Sequence, residues 1–243
     1  MASDPREARL RTRAQIEAIP LGGRPLVVCD VDEVALEFVI HLEDHLLRKG
    51  FRLLPRSYGL TGNIVLDGTE TPATQDDVRR LLHSFFAEDT HLQTPVAGAA
   101  ESLSILSEWA DIVMLTNMPD AQREIRSDTL ARHGMAYPVV TNTGPKGEAV
   151  RHLADRAGGP VIFLDDSPSN VGSVRKAVDE AFLVQFIGDP RFLAMATPVE
   201  GIHMLTGDWR EALTLALGVL GGADPERLPP GTVAGRESES GTR

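Results

Sequence analysis

Two aspartates stand one residue apart immediately after an apolar run near the start of the chain. The run is 26–29, and the two acids are Asp30 and Asp32. In a parallel sheet the carboxyl ends of strands open into the crevice where ligands bind. One carboxylate there can attack as a nucleophile while its neighbour exchanges protons with a leaving group. A Mg²⁺ ion would relieve the repulsion between the acids and draw in a phosphate. The alternative is a solvated turn, because aspartate is common in turns.

Polar groups follow a second apolar run in the same way. Thr116 and Asn117 come after 112–115, and their hydroxyl and amide can donate hydrogen bonds to phosphate oxygens. The alternative interpretation is a turn before Pro119.

A lysine stands at the start of a helical pattern further along the chain. Lys146 precedes apolar positions with helical spacing, although a positive charge at a helix start opposes the helix dipole. This cost could be offset if the positive charge of Lys146 balances the negative charges of the acids and of a bound phosphate. The alternative is a solvated surface lysine.

A second pair of carboxylates ends a third apolar run. Asp165 and Asp166 follow 160–164 and precede Ser167 and Pro168. This pattern is also typical of a helix cap with proline in the first turn. Capping requires one carboxylate and leaves the other unexplained.

The order Asp-x-Asp, Thr, Lys, Asp-Asp, with an apolar run before each acid pair and the threonine, resembles the haloacid dehalogenase (HAD) superfamily of phosphohydrolases. The resemblance covers roughly residues 24–188, and the four-part order is far more specific than any one of its parts. It implies an α/β fold, with a Rossmann-like parallel sheet, helices on both faces and a small helical cap domain. The alternation of strand and helix patterns after residue 95 independently indicates such a sheet.

The resemblance also implies roles for individual residues. Asp30 would be the nucleophile that forms an aspartyl-phosphate, and Asp32 would be the general acid and base. Thr116 and the Asn117 backbone would hold the phosphoryl oxygens. Lys146 would pair with the nucleophile and the phosphoryl group.

A Mg²⁺ site follows from the same resemblance. Its ligands would be the Asp30 carboxylate, the backbone carbonyl of Asp32 and an acid of the last motif. Asp166 matches that last ligand best, with Asp165 close behind it. The sequence departs from the common pattern of the family at three positions. It carries Glu33, Val34 and Asn170 where Gly, Thr and Asp are frequent.

The implied activity is a phosphatase that hydrolyses a small phosphorylated metabolite. Family members that cleave carbon–halogen bonds lack the second aspartate, so Asp32 favours phosphate monoesters. Two alternatives stay open. One is a phosphomutase or phosphotransferase of the same family, and the other is a catalytically silent regulatory module that binds phosphate.

The composition and charge of the chain restrict the partners that it could bind and the cellular compartment in which it could lie. The chain has 243 residues and a formal net charge of −11, which argues against binding to nucleic acid or an anionic membrane. Cys29 is the single cysteine, so internal disulfides are excluded and a reducing compartment is favoured. No apolar stretch has the length of a membrane span, and the start of the chain lacks a secretory signal. We therefore expect a cytoplasmic protein whose oligomeric state stays open.

The chain divides into four predicted regions: a lead-in helix at 1–23, a core domain at 24–34 and 95–220, a helical cap at 35–94 and a disordered tail at 221–243. In the cap, one helix should end at Gly50 and another should begin near Thr74. His41 and His45 have a spacing that can bind a metal, but no third ligand is evident and a wet helix face is the better interpretation. The polar stretch between the helices offers residues that could contact a substrate: Arg52, Arg56, Ser57, Tyr58 and Asn63.

Overall fold

A six-stranded parallel sheet forms the centre of the protein. The computed structural model describes residues 4–221. The strands of this sheet lie in the order β5-β4-β1-β6-β7-β8, and a separate antiparallel pair joins β2 to β3. Their bounds are β1 Leu26–Cys29, β2 Phe51–Leu53, β3 Ile64–Leu66, β4 Asp111–Thr116, β5 Val139–Thr141, β6 Val161–Asp165, β7 Phe182–Phe186 and β8 Met204–Thr206.

Helices cover both faces of this sheet. Their bounds are α1 Pro5–Glu17, α2 Val39–Arg48, α3 Gln75–Glu88, α4 Ala99–Ser107, α5 Arg123–Arg132, α6 Gly147–Ala154, α7 Pro168–Ala177, α8 Pro190–Leu193 and α9 Trp209–Leu220. Val27 and Cys29 pack on one side with apolar residues of α4 and α9, while Leu26 and Val28 pack on the other with those of α1, α6 and α7. All four residues of β1 are fully buried. The predicted Rossmann-like α/β fold is thereby confirmed.

The last described helix packs on the core. Ala212 and Leu215 of α9 are buried against the face of the sheet that carries Val27 and Cys29. The indole of Trp209 donates a hydrogen bond to the backbone oxygen of Val34, at 2.9 Å, in the turn that follows β1. This contact fixes the turn that carries Asp32.

The segment between β1 and α4 forms a small apolar cluster together with residues that follow β7. Helices α2 and α3 are present as predicted, and a capping box formed by Thr74 and Asp77 begins α3. The antiparallel β2–β3 hairpin was not predicted from the sequence. Leu42, Ile64 and Phe85 are fully buried in this cluster, which also includes Ile187 and Phe192. This segment therefore holds a hairpin as well as helices.

His45 does not lie on a wet helix face, so that interpretation is wrong. Its ring is fully buried, with Nδ1 2.5 Å from the Asp89 carboxylate and Nε2 2.8 Å from the Ser84 hydroxyl. These contacts join α2 to the end of α3. His45 therefore has a packing role.

The predicted disordered tail lies outside the described residues, apart from Gly221. Within 4–221, no helix is both long enough and apolar enough to cross a membrane.

Candidate active site

Three neighbouring strands bring the predicted site residues to one edge of the sheet. Strand β1 pairs with β4 on one side and with β6 on the other. Asp30 follows β1 directly, Thr116 is the last residue of β4, and Asp165 is the last residue of β6. Because all three strands are parallel, their carboxyl ends meet at the same place.

A buried lysine joins the first and last motifs. The Nζ atom of Lys146 lies 2.7 Å from Oδ1 of Asp30 and 2.6 Å from Oδ2 of Asp165. Its side chain is fully buried, which lowers the pKa of the ammonium, but the charges of Asp165 and Asp30 outweigh burial and raise the pKa overall. Lys146 is therefore a fixed cation between two acids.

The start of α6 holds this lysine in place through a close contact with α7. The backbone N–H of Gly147 donates to the Ser173 hydroxyl at 3.0 Å. A Cβ atom at position 147 would lie only 2.4 Å from the backbone oxygen of Ser173. Only glycine permits this approach without movement of a helix, so the closeness of α6 to α7 sets the position of Lys146.

The hydrogen-bonding capacity of Asp165 is already used within the protein. Besides Lys146, its carboxylate accepts from the backbone N–H of Ser167 at 2.9 Å and from the Asn170 amide at 3.0 and 3.2 Å. A carboxylate has about four acceptor sites, and these contacts occupy them. Asp165 therefore orients Lys146, and Asn170 orients Asp165.

Burial changes the acid strength of the remaining carboxyl groups. It raises the pKa of Asp30 to about 7, against the opposing effect of Lys146 and with further increases from Asp165 and Asp32. Burial also raises the pKa of Asp166 well above its ordinary range, and the charges of Asp165 and Asp30 add to the rise. When Asp30, Asp165 and Asp166 are all ionised, their negative charge exceeds the single positive charge of Lys146.

These acids form a group that could hold a cation. One carboxylate oxygen each of Asp30, Asp165 and Asp166 lies within 4.8 Å of the others. Hard oxygen donors of this kind suit Mg²⁺. A divalent cation here would balance the excess negative charge.

Asp32 is held by a residue that the sequence analysis missed. The guanidinium of Arg126 in α5 donates to Oδ1 of Asp32 at 2.8 Å, and its other terminal nitrogen donates to the Gln93 side-chain oxygen at 2.8 Å. The Gln93 amide also donates to Oδ1 of Asp32, at 3.0 Å. Arg126 is fully buried. The single sequence signal was its position on the same face of α5 as the buried Leu130, four residues later.

Thr116 and Asn117 occupy different surroundings. The Thr116 hydroxyl is buried and lies 3.4 Å from Oδ2 of Asp32. The Asn117 side chain instead bonds to the Gly144 backbone oxygen at 3.0 Å and to Asn142 at 2.9 Å. The Asn117 side chain thus braces the loop before Lys146.

We call residues 35–94 the inserted segment, and of the polar residues noted in it, Tyr58 reaches the site. Its hydroxyl donates to the backbone oxygen of Asp166. Arg52 donates to the Thr69 backbone oxygen at 3.1 Å, and Arg56 pairs with Glu70. These two arginines stay within the hairpin.

The Asn63 amide stabilises the loop that carries Tyr58. It donates to the backbone oxygens of Ser57 at 2.6 Å and Gly59 at 2.7 Å. Its own side-chain oxygen lies at the edge of hydrogen-bonding range from the Ser57 hydroxyl, at 3.5 Å. Ser57 and Asn63 therefore hold the loop.

Glu33 lies in the turn between Asp32 and the inserted segment. Its φ of +67° is in the left-handed region, which residues other than glycine seldom adopt. The carboxyl accepts from the backbone N–H groups of Phe38 at 3.2 Å and Val39 at 2.8 Å, at the start of α2. Burial raises its pKa to about 7. Val34 is buried in the same turn.

A cavity of about 510 Å³ opens above these acids. Its core side is polar and its other side is made by the inserted segment. The lining residues are Asp30, Asp32, Phe38, Leu60, Leu82, Phe86, Asn117, Gly144, Pro145, Asp166, Ser167, Ser169 and Asn170. The site is therefore a pocket between the sheet edge and the inserted segment.

Comparison with known proteins identifies the fold. The sequence matches no protein-family model and no curated protein. The structure is similar to a haloacid dehalogenase-like family hydrolase from Streptococcus pneumoniae, with 10% identity, 79% of this chain and 98% of that chain covered, and a TM-score of 0.55. It is also similar to a HAD family hydrolase from Deinococcus radiodurans R1 crystallised with phosphate and sodium, with 17% identity, 84% and 99% covered, and a TM-score of 0.54.

A third similar structure is a dehalogenase. It is the L-2-haloacid dehalogenase from Xanthobacter autotrophicus, with 12% identity, 79% of this chain and 98% of that chain covered, and a TM-score of 0.52. At these identities the similarity establishes the fold alone. This chain has the haloacid dehalogenase-like fold.

Proposed function

We propose that this chain is a Mg²⁺-dependent phosphohydrolase of the HAD superfamily that cleaves a small phosphate monoester through an aspartyl-phosphate on Asp30. The observation that carries the proposal is the pairing of Asp30 with the buried Lys146, at the sheet edge where Asp32 and Asp166 also lie. A dehalogenase is disfavoured by Asp32, which supplies the proton that an alkoxide leaving group requires.

The positions of the site residues suggest a role for each of them in phosphoryl transfer. Asp30 attacks phosphorus, and Lys146 balances charge on Asp30 and on the incoming phosphoryl oxygens. Asp32 protonates the leaving oxygen and later takes a proton from the attacking water. Thr116 and the Asn117 backbone bind phosphoryl oxygens.

The metal site that we propose uses Asp30, Asp166 and the backbone carbonyl of Asp32. Asp165 lies within reach of the same point, but its oxygens are bonded to Lys146, Ser167 and Asn170. When bound, Mg²⁺ supplies charge that neutralises the phosphoryl oxygens and the surrounding acids. The inserted segment 35–94 would act as the cap that closes the site against water.

The test is phosphate release from an aryl phosphate with Mg²⁺ and with chelator. We expect the native chain to release phosphate with metal, and Asp30→Asn to lose activity by a factor on the order of 10⁴ or more. Asp179→Asn is the matched control, because Asp179 is exposed and does not line the active-site cavity. Equal activity in the native chain and Asp30→Asn would overturn the proposal.

Reaction in isotopically labelled water distinguishes a phosphatase from a phosphomutase. Hydrolysis of the aspartyl-phosphate places one labelled oxygen in the released phosphate. A phosphomutase instead returns unlabelled phosphoryl groups to its substrate. Binding of phosphate without either reaction would identify a silent regulatory module.

A further inference from the structure

The side chains that the inserted segment contributes to the lining of the active-site cavity are all apolar. We call these four side chains the apolar roof, and they are Phe38, Leu60, Leu82 and Phe86. They come from the entry to α2, from the hairpin loop and from α3. The rings of Phe38 and Phe86 stack, with centroids 6.2 Å apart and an interplanar angle of 22°. All four are partly buried, so each leaves apolar surface for a ligand to cover.

Within residues 4–221, no positively charged side chain lines the cavity where a leaving group would lie. Among the described residues that line it, none is arginine, lysine or histidine. Lys146 lies beneath the acids and is bonded to both Asp30 and Asp165. Arg52 and Arg56 are bonded within the hairpin. A carboxylate or second phosphate on the leaving group would find no cationic side chain among these described lining residues and would be repelled by the acids.

The hydrogen-bonding groups of the cavity are confined to its core side. Asn117, Ser167, Ser169 and Asn170 line that side, near the acids that would receive the phosphate. A hydroxylated leaving group turned towards the apolar roof would exchange its hydrogen bonds with water for contacts with carbon, which is unfavourable. An apolar leaving group would instead gain from burial.

We infer that the substrate is the phosphate monoester of an uncharged, largely apolar alcohol or phenol, whose carbon skeleton packs on the apolar roof. This inference rests on the proposed function, since that function places the phosphate on the acid side of the cavity. The volume of about 510 Å³ lies within the range of pockets that enclose drug-sized ligands. Sugar phosphates and carboxylated esters such as phosphoglycolate would be poor substrates.

The test compares kcat/KM across methyl, propyl and pentyl phosphate, with glucose phosphate and phosphoglycolate as polar counterparts. Each buried methylene should raise kcat/KM about threefold to fourfold. Glucose phosphate and phosphoglycolate should fall roughly 10-fold to 100-fold below pentyl phosphate. A kcat/KM that stays constant or falls from methyl to pentyl phosphate would overturn the inference.

A charged substitution in the apolar roof tests the assignment to Leu82. Leu82→Arg should abolish the rise from methyl to pentyl phosphate and improve phosphoglycolate relative to pentyl phosphate. Leu66→Arg is the matched control, because Leu66 is 46% exposed in the same segment and does not line the cavity. It should keep the native dependence on chain length. If both arginine variants keep it, the roof does not contact the substrate and the inference fails.

The failure of the proposed function has a separate signature. Acetyl phosphate has a small leaving group that is too short to cover the apolar roof, so its hydrolysis depends on the acid side alone. If acetyl phosphate releases phosphate in a metal-dependent way while kcat/KM does not change from methyl to pentyl phosphate, the inference about the substrate fails and the proposed phosphohydrolase function stands. No release from any of these compounds removes both.

Discussion

Arg126→Lys should separate the positioning of Asp32 from the stability of the fold. The Arg126 guanidinium bonds at once to Oδ1 of Asp32 and to the Gln93 side chain, both at 2.8 Å, and Gln93 itself donates to Asp32 at 3.0 Å. The Thr116 hydroxyl lies 3.4 Å from the other oxygen of Asp32. The carboxylate is thereby fixed in one orientation.

The size of the effect follows from these contacts. A lysine keeps the charge but cannot make both bonds of the planar guanidinium, so either Asp32 or Gln93 loses a partner. An unsatisfied buried polar group costs about 1–3 kcal/mol of folding free energy. Removal of the charge altogether, in Arg126→Met, would break a buried ion pair and cost about 3–5 kcal/mol. Arg126→Lys should therefore stay folded.

The assay is kcat/KM for two esters that differ in their need for a proton. An alkoxide must be protonated as it leaves, whereas nitrophenolate leaves readily without a proton. General acid catalysis contributes about 10²–10⁴ in rate, so a misplaced Asp32 should lower kcat/KM for pentyl phosphate about 10-fold to 100-fold. The value for nitrophenyl phosphate should fall less than about threefold. Arg123→Lys, on the exposed face of the same helix, is the matched control.

Two results would refute this reasoning. Equal losses with both esters would show that Arg126 supports the structure without positioning the acid. Unchanged kinetics with both esters would show that Asp32 keeps its place without the guanidinium.

Two further variants probe the turn after β1 and the start of α6. Because burial raises the pKa of Glu33 from 4.5 to about 7, the folded chain keeps this proton between those pH values while the unfolded chain loses it. Glu33 should therefore contribute a loss of about 3 kcal/mol of stability as pH rises through that window, and Glu33→Gln should make the slope in urea unfolding shallower by that amount, whereas an unchanged slope would contradict the assignment. Gly147→Ala should cost about 1–3 kcal/mol and lower activity, since its Cβ would lie 2.4 Å from the Ser173 oxygen and push α6, with Lys146, away from α7. Gly172→Ala, whose nearest neighbouring atom would be 4.0 Å away, is the control, and an equal effect of both alanines on unfolding would contradict the explanation.

The parts of the fold that could be predicted from sequence are those with local signals. The strand β1 is a continuous apolar run that ends at Asp30, and α3 begins with the cap residue Thr74. In both cases neighbouring residues carry the information. The parallel strands then bring Asp30 and Asp165 together because strand ends meet at one edge of the sheet.

The parts that were missed depend on distant partners. The strands β2 and β3 have three residues each, too few to show an alternating pattern, and they pair across a ten-residue loop held by Asn63. Arg126 looks like any helical arginine until Asp32, 94 residues earlier, is placed beside it. His45 likewise becomes a buried residue through Asp89, which lies 44 residues later. Such contacts exist only once the chain has folded.

The burial of Cys29 allows opening of strand β1 to be measured without an activity assay. The thiol is the single one in the chain, is fully buried in β1 and donates to the Asp30 backbone oxygen at 3.0 Å. Burial raises its pKa, so a thiol reagent can react only when β1 detaches from the sheet. The ratio of its labelling rate to that of a free thiol measures how often this detachment occurs. Since a ligand that binds the folded site makes detachment rarer, slower labelling would report occupancy of the site and serve as a screen for its ligands.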